Sequence, residues 1–134
     1  MNVLIDTNVI IDTFSQREPF NEYSDGIFKL LAENKIKGYI TTSGITDVYY
    51  LLCKKYGYVE SKIKIGTLLE LLNIAEVSEA DCFAALNSAV RDFEDALIFA
   101  CFERIGLDLI ISRDVEFLKS KSVVSPDKFL AGNK

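Results

Sequence analysis

Four places in this 134-residue chain put a carboxylate where a strand should end or a helix begin. They are Asp6 after Val3-Leu4-Ile5, Asp47 shortly after Thr42-Ser43, Asp92 with Asp95 ahead of an apolar stretch, and Asp114 after Leu109-Ile110-Ile111-Ser112. Taken singly, each is explained by capping, since a short acid accepts from the free amides of a first turn and favours the helix dipole. The combination carries more. In a parallel sheet, every strand C-terminus and every following helix N-terminus lies on one edge. Asp6, Asp47, Asp95 and Asp114 would then converge from distant parts of the chain. Carboxylates gathered in one cleft repel one another, and some take up protons unless a cation intervenes. The natural partner for such an all-oxygen set is a hard divalent ion, Mg²⁺ or Mn²⁺. Ions of this kind activate water and offset the charge that develops in phosphodiester cleavage.

Composition removes the competing chemistries. The chain has no histidine, which excludes Ser-His-Asp and Cys-His catalysis, and makes a zinc site improbable. Its three cysteines, Cys53, Cys82 and Cys101, are odd in number, contain no C-x-x-C pair and read as small core side chains. With 20 acidic and 15 basic residues the net charge is −5, so a nucleic-acid role requires segregated charge or bound cations at the site. The longest apolar run, residues 96–102, is far too short to span a membrane. No basic leader precedes the first strand, and the expected compartment is the cytoplasm.

Alternating strands and helices must position these acids. Val3-Leu4-Ile5 reads as a strand buried on both faces. Residues 15–22, with Pro19, read as a loop, and 23–33 as an amphipathic helix. A strand is expected at 39–42, then a helix capped by Ser43 and ended near Gly57, then a second helix over 59–72. A weak strand at 73–77 leads to a helix over 79–90, capped by Ser78, with Ala80, Phe83, Ala84 and Leu86 inward. Residues 92–105 form a helix apolar nearly all round, which predicts that it is enclosed. Gly106 stops it. Strands follow at 107–112 and 123–124, the last before a helical turn at Pro126. The fold class is α/β: one domain over residues 1–134, a three-layer α/β/α sandwich on a central parallel sheet of about four or five strands.

At these residues the chain resembles a known family, the PIN domain of metal-dependent ribonucleases. The resemblance is carried by Leu4-Ile5-Asp6-Thr7-Asn8-Val9, by Thr42-Ser43 with Ile45-Thr46-Asp47, by Asp92-Phe93-Glu94-Asp95-Ala96-Leu97, and by Ile110-Ile111-Ser112-Arg113-Asp114 with Phe117. Within the family it is most similar to small VapC-like toxins and related stand-alone PIN proteins. The resemblance implies Asp6, Asp95 and Asp114 as metal ligands, with Asp92 as a supporting acid and Glu116 as a reserve ligand. Asp47 would be the remaining catalytic acid, where the family more often has glutamate. Thr7, Asn8 and Ser112 would position carboxylates and water. It further implies a single-stranded RNA substrate, a homodimer and an antitoxin partner. Lys54, Lys55, Lys62, Lys64, Arg17 and Arg113 are candidate phosphate contacts, and also read as ordinary surface cations. Tyr49, Tyr50, Tyr56 and Tyr58 are candidate stacking residues that read more readily as packing.

Two alternatives stay open on sequence. An aspartyl phosphatase would want a second acid two residues after Asp6, where Asn8 stands. A degenerate PIN domain would bind RNA or protein without cutting.

Overall fold

The computed structural model describes residues 1–132. Five strands form one sheet in the order β3-β2-β1-β4-β5: β1 Asn2–Ile5, β2 Lys37–Thr41, β3 Leu72–Ala75, β4 Leu109–Ile111 and β5 Val123–Val124. Every pairing is parallel, and β1 lies at the centre, with Leu4 opposite Tyr39 on one side and Ile110 on the other. The helices are α1 Thr7–Phe14, α2 Asn21–Ala32, α3 Thr42–Leu71, α4 Glu79–Leu86, α5 Phe93–Ile105 and α6 Pro126–Gly132, with a 3-10 turn at Phe117–Lys119.

The period of two in a strand divides β1 between two cores. Val3 and Ile5 join Ile40, Ile111 and the buried faces of α1, α2 and α3, with Phe129 of α6. Leu4 and Ile110 face the other way, onto Cys101 and Phe102 of α5 with Phe117 and Val123. The result is a three-layer sandwich. Each of Val3, Leu4, Ile5, Ile110 and Ile111 is at most 2% exposed, which stabilises the fold by about 1.5–3 kcal/mol apiece. The chain builds β2 and β3 on one side of β1 and then crosses to β4 and β5 on the other. The crevice at this reversal, outside the strand ends, opens between β1 and β4, and ligand sites of such sheets lie in crevices of this kind.

Several local expectations are corrected. The expected break at Gly57 is present, since α3 is two helices meeting at a kink where Gly57 leaves the helical backbone with a φ of 76° that a side chain would resist, but other expectations change. The cap of α3 is Thr41, whose hydroxyl accepts from the Gly44 amide at 3.1 Å, and not Ser43. Helix α4 turns the opposite face inward. Asp81 and Ala85 are buried, whereas Ala80, Phe83, Ala84 and Leu86 are exposed. The reason is electrostatic: Asp81 closes a capping box with Ser78 and accepts from Arg104 at 2.9 and 3.1 Å, which fixes the helix rotation. Helix α5 is not enclosed, since only Ala96, Cys101 and Phe102 are buried and Phe93 is 47% exposed. Cys101 is a core side chain, but Cys53 is only half-buried and Cys82 is exposed. No helix among the described residues is long and apolar enough to cross a membrane.

Candidate functional site

Asp6 is the first residue past β1, and its amide continues the β1–β4 ladder by donating to the Ile111 carbonyl at 3.0 Å. Its backbone is still extended, so its side chain projects at the strand end, and Oδ1 accepts from the Thr7 amide at 2.8 Å as the cap of α1. Capping uses only one of its oxygens. The other, Oδ2, accepts from the Ser112 hydroxyl at 2.6 Å and from Asn8 Nδ2 at 3.3 Å. Ser112 is fully buried just past β4, and its Oγ also accepts from the Asp114 amide at 3.0 Å. Asp114 in turn caps the following turn by accepting from the Glu116 amide at 2.9 Å. Asp6, Asn8, Ser112 and Asp114 thus form one connected network across the β1–β4 crevice.

The remaining acids come from α3 and α5. The Thr41 cap starts α3 at the end of β2, and Gly44 lets its first turn approach β2 closely. A Cβ there would meet Ile40 Cγ1 at 2.9 Å. One turn on, Asp47 reaches a small cavity of about 20 Å³ lined also by Asp6, Thr7, Thr41, Ser43 and Glu94. Such a volume holds about one water-sized species. Asp92 caps α5 by accepting from the Asp95 amide at 3.0 Å. Asp92, Asp95 and Glu116 line an adjoining open groove, with Phe117 as the wall common to both spaces. Glu116 is highly exposed and pairs with Lys119 at 3.2 Å.

The acids feel one another. Burial raises the Asp6 carboxyl above its ordinary range. Hydrogen bonds from Ser112 and Thr7 pull it back, and the charges of Asp114 and Asp47 push it up further. Asp95 is pushed up to about 6 by partial burial and then by Asp92, Asp114, Asp6 and Glu94. Glu94 is raised as well, by partial burial and by Asp47, Asp92 and Asp6. Asp6, Asp47 and Glu94 line one cavity and Asp92 and Asp95 the adjoining groove, and the repulsion that raises these carboxyls is the condition a divalent cation relieves. The donor set is therefore suited to a hard ion: carboxylates and hydroxyls around a cavity of about one-ion size. Among the described residues, no group of three acids already stands close enough to hold an ion. Closing on one would take side-chain rotation, for which exposed Asp47 and Glu94 have freedom.

Glu94 is the residue that sequence reasoning missed. It lies between Asp92 and Asp95, and only the placement of the α5 N-terminus near the end of β1 shows that it shares the cavity of Asp6 and Asp47. The candidate phosphate contacts are dispersed and mostly committed. Lys55 donates to the Ser15 carbonyl, Lys54 and Lys64 lie over the Tyr50 and Tyr56 rings at 4.5 Å, and Arg113 is bound to Asp12. Tyr56 donates to the Phe14 carbonyl, while Tyr50 and Tyr58 are exposed.

Comparison with known proteins agrees with this fold. A PIN-domain family model matches residues 2–116. Ribonuclease VapC1 of Aquifex aeolicus (strain VF5) is 32% identical over 133 residues, covering 93% of this chain and 85% of that protein. Among solved structures, the fold is similar to VapC20 of Mycobacterium tuberculosis, a toxin that cleaves the sarcin-ricin loop. The TM-score is 0.70 at 13% identity, covering 90% of this chain and 96% of the other. VapBC2 of Rickettsia felis, bound to a promoter DNA fragment, gives 0.68 at 15% identity, covering 93% and 97%. A toxin–antitoxin complex from Klebsiella pneumoniae gives 0.69 at 21% identity, covering 92% and 97%.

Proposed function

This chain belongs to the PIN-domain family, and from that premise we propose that it is a metal-dependent endoribonuclease that cuts single-stranded RNA, acting as the toxin of a toxin–antitoxin pair. The observation that carries the reading is Asp6. It stands at the end of the central strand, bonded to Ser112 and within the field of Asp47 and Asp114. Asp6, Asp95 and Asp114 are the proposed holders of Mg²⁺ or Mn²⁺, with Asp92 in support, Glu116 in reserve, and Asp47 and Glu94 facing the same cavity. When bound, the ion supplies neutralisation of the phosphate oxygens and activation of a water.

The residues of the chain prepare that chemistry. Ser112 and Asn8 hold the Asp6 carboxylate in one orientation, so this one carboxylate is already set and the rotation falls to its exposed neighbours. Ser112 also fixes the Asp114 backbone, which sets the distance across the crevice. Without an ion, the crowded acids hold a proton on Asp95 up to about pH 6, and binding of the ion would displace that proton. The adjoining groove, about 750 Å³ and bounded by Arg91 and Lys119, is the proposed approach for the RNA backbone. A homodimer and a small antitoxin are the proposed assembly, and exposed Val59, Ile63, Phe83 and Leu86 are apolar surface available to such partners.

The test compares wild type with Asp6→Asn on a single-stranded RNA, with Mn²⁺ and with chelator. Cleavage by wild type that chelator and the substitution each abolish supports the reading. RNA binding without cleavage by wild type in Mn²⁺ would instead favour a non-cutting module. Equal cleavage by both proteins would assign the activity elsewhere.

A further inference from the structure

Asp12 is a carboxylate that the chemistry above does not use, and it is completely buried, on α1. Its Oδ2 accepts from Arg113 Nε at 2.6 Å and its Oδ1 from Arg113 Nη2 at 2.9 Å, a bidentate fork between residues 101 positions apart. Arg17 lies 3.8 Å from the same carboxylate, half in solvent. The Arg113 guanidinium is also stacked on the Phe20 ring, 3.8 Å from its centroid. The Arg113 backbone amide donates to Asn8 Oδ1 at 3.2 Å. The residue between Ser112 and Asp114 is therefore gripped at both its main chain and its side-chain tip.

We infer that Asp12 is a positioning residue for the acidic rim: its fork on Arg113 fixes the turn leaving β4, and with it the place of Ser112 and Asp114 relative to Asp6. The inference rests on the functional reading above for what the rim does. Helix α1 does not need the pair to stay on the sheet, because Val9, Ile10 and Ile11 already bury it there at 0–4% exposure. The turn after β4 does need an anchor. It is followed only by the 3-10 turn at Phe117–Lys119, and Val115 beside Asp114 is 72% exposed. A lysine at 113 would keep the charge but lose the planar fork.

Arg113→Lys and Asp12→Asn test this in three measurements: hydrogen exchange of the Ser112–Asp114 amides, Mn²⁺ affinity by calorimetry, and kcat and KM on single-stranded RNA. Exchange is expected to quicken at Arg113 and Asp114 while β1 and β2 stay protected. Mn²⁺ affinity should fall about 10–100-fold, with kcat falling similarly and KM within about twofold of wild type. A pair that only braces the fold would lower Tm and leave Mn²⁺ affinity, kcat and local exchange of the folded protein unchanged, which overturns the inference. If Asp12→Asn does not fold, Arg113→Lys decides alone. If wild type neither binds Mn²⁺ nor cuts RNA, the functional reading fails, and exchange at Ser112–Asp114 still decides the clamp.

Discussion

Replacing Asp95 with asparagine is expected to stabilise the metal-free protein at neutral pH, although it removes a proposed ligand. The carboxyl of Asp95 is held at about 6 instead of 3.8, by partial burial and then by Asp92, Asp114, Asp6 and Glu94. The folded state therefore binds this proton more tightly than the unfolded chain. The resulting stability is fully present below about pH 4 and is lost as pH rises through about 6. Taken at face value the gap is worth about 3 kcal/mol. The cleft is half open, so solvent screening reduces it to about 1–1.5 kcal/mol. Asparagine also forfeits the favourable interaction of an acid in the first turn of α5, about 0.5 kcal/mol. The net gain at pH 8 is about 0.5–1 kcal/mol, or about 2–4 °C in Tm. Melts of both proteins in chelator at pH 4, 5 and 8 measure it. The two curves should approach each other at pH 4, be more than half separated at pH 5 and reach the full gap by pH 8, with the variant higher. Adding Mn²⁺ at pH 8 should raise wild type more than the variant, because the ion takes the place of the missing protons. A variant less stable than wild type in chelator at pH 8, or a gap independent of pH, would refute the shared-rim reasoning.

Three further perturbations probe other parts of the argument. Ser112→Ala removes the 2.6 Å bond to Asp6 and the acceptor for the Asp114 amide, and should cut cleavage about 10–100-fold while costing about 1–2 kcal/mol in urea denaturation. Glu94→Gln should weaken Mn²⁺ binding in calorimetry, since Glu94 shares the cavity with Asp6 and Asp47, and unchanged affinity would remove it from the site. Asp81→Asn breaks a buried pair whose Arg104 is 41% exposed, and should cost about 1–2 kcal/mol of stability with RNA cleavage unaltered.

What the amino-acid sequence determined by itself was most of what depends on near neighbours, the α3 cap at Thr41 instead of Ser43 being an exception. The apolar triplet Val3-Leu4-Ile5 specifies a doubly buried strand. Asp6, Ser78 and Asp92 are legible as caps because their amide partners lie within three residues. Gly106 is legible as a stop because only a short-range backbone conformation is involved, with φ at 79°. The parallel sheet followed from alternation, and from it the expectation that Asp6, Asp47, Asp95 and Asp114 share one rim; the structure puts Asp6 and Asp47 on one cavity and Asp95 on the adjoining groove. Tertiary structure alone decided the rest. Periodicity put Phe83 and Leu86 inside, but the bond from Arg104 to Asp81, 23 residues away, rotates α4 the other way. Glu94 is one more acid of a first turn until the fold brings the start of α5 to the cavity of Asp6 and Asp47. Asp12 sat unnoticed in an apolar run, and its partner Arg113 lies at the far end of the chain. Periodicity and capping are written in windows of a few residues, whereas these contacts depend on which strands become neighbours, and no window contains that.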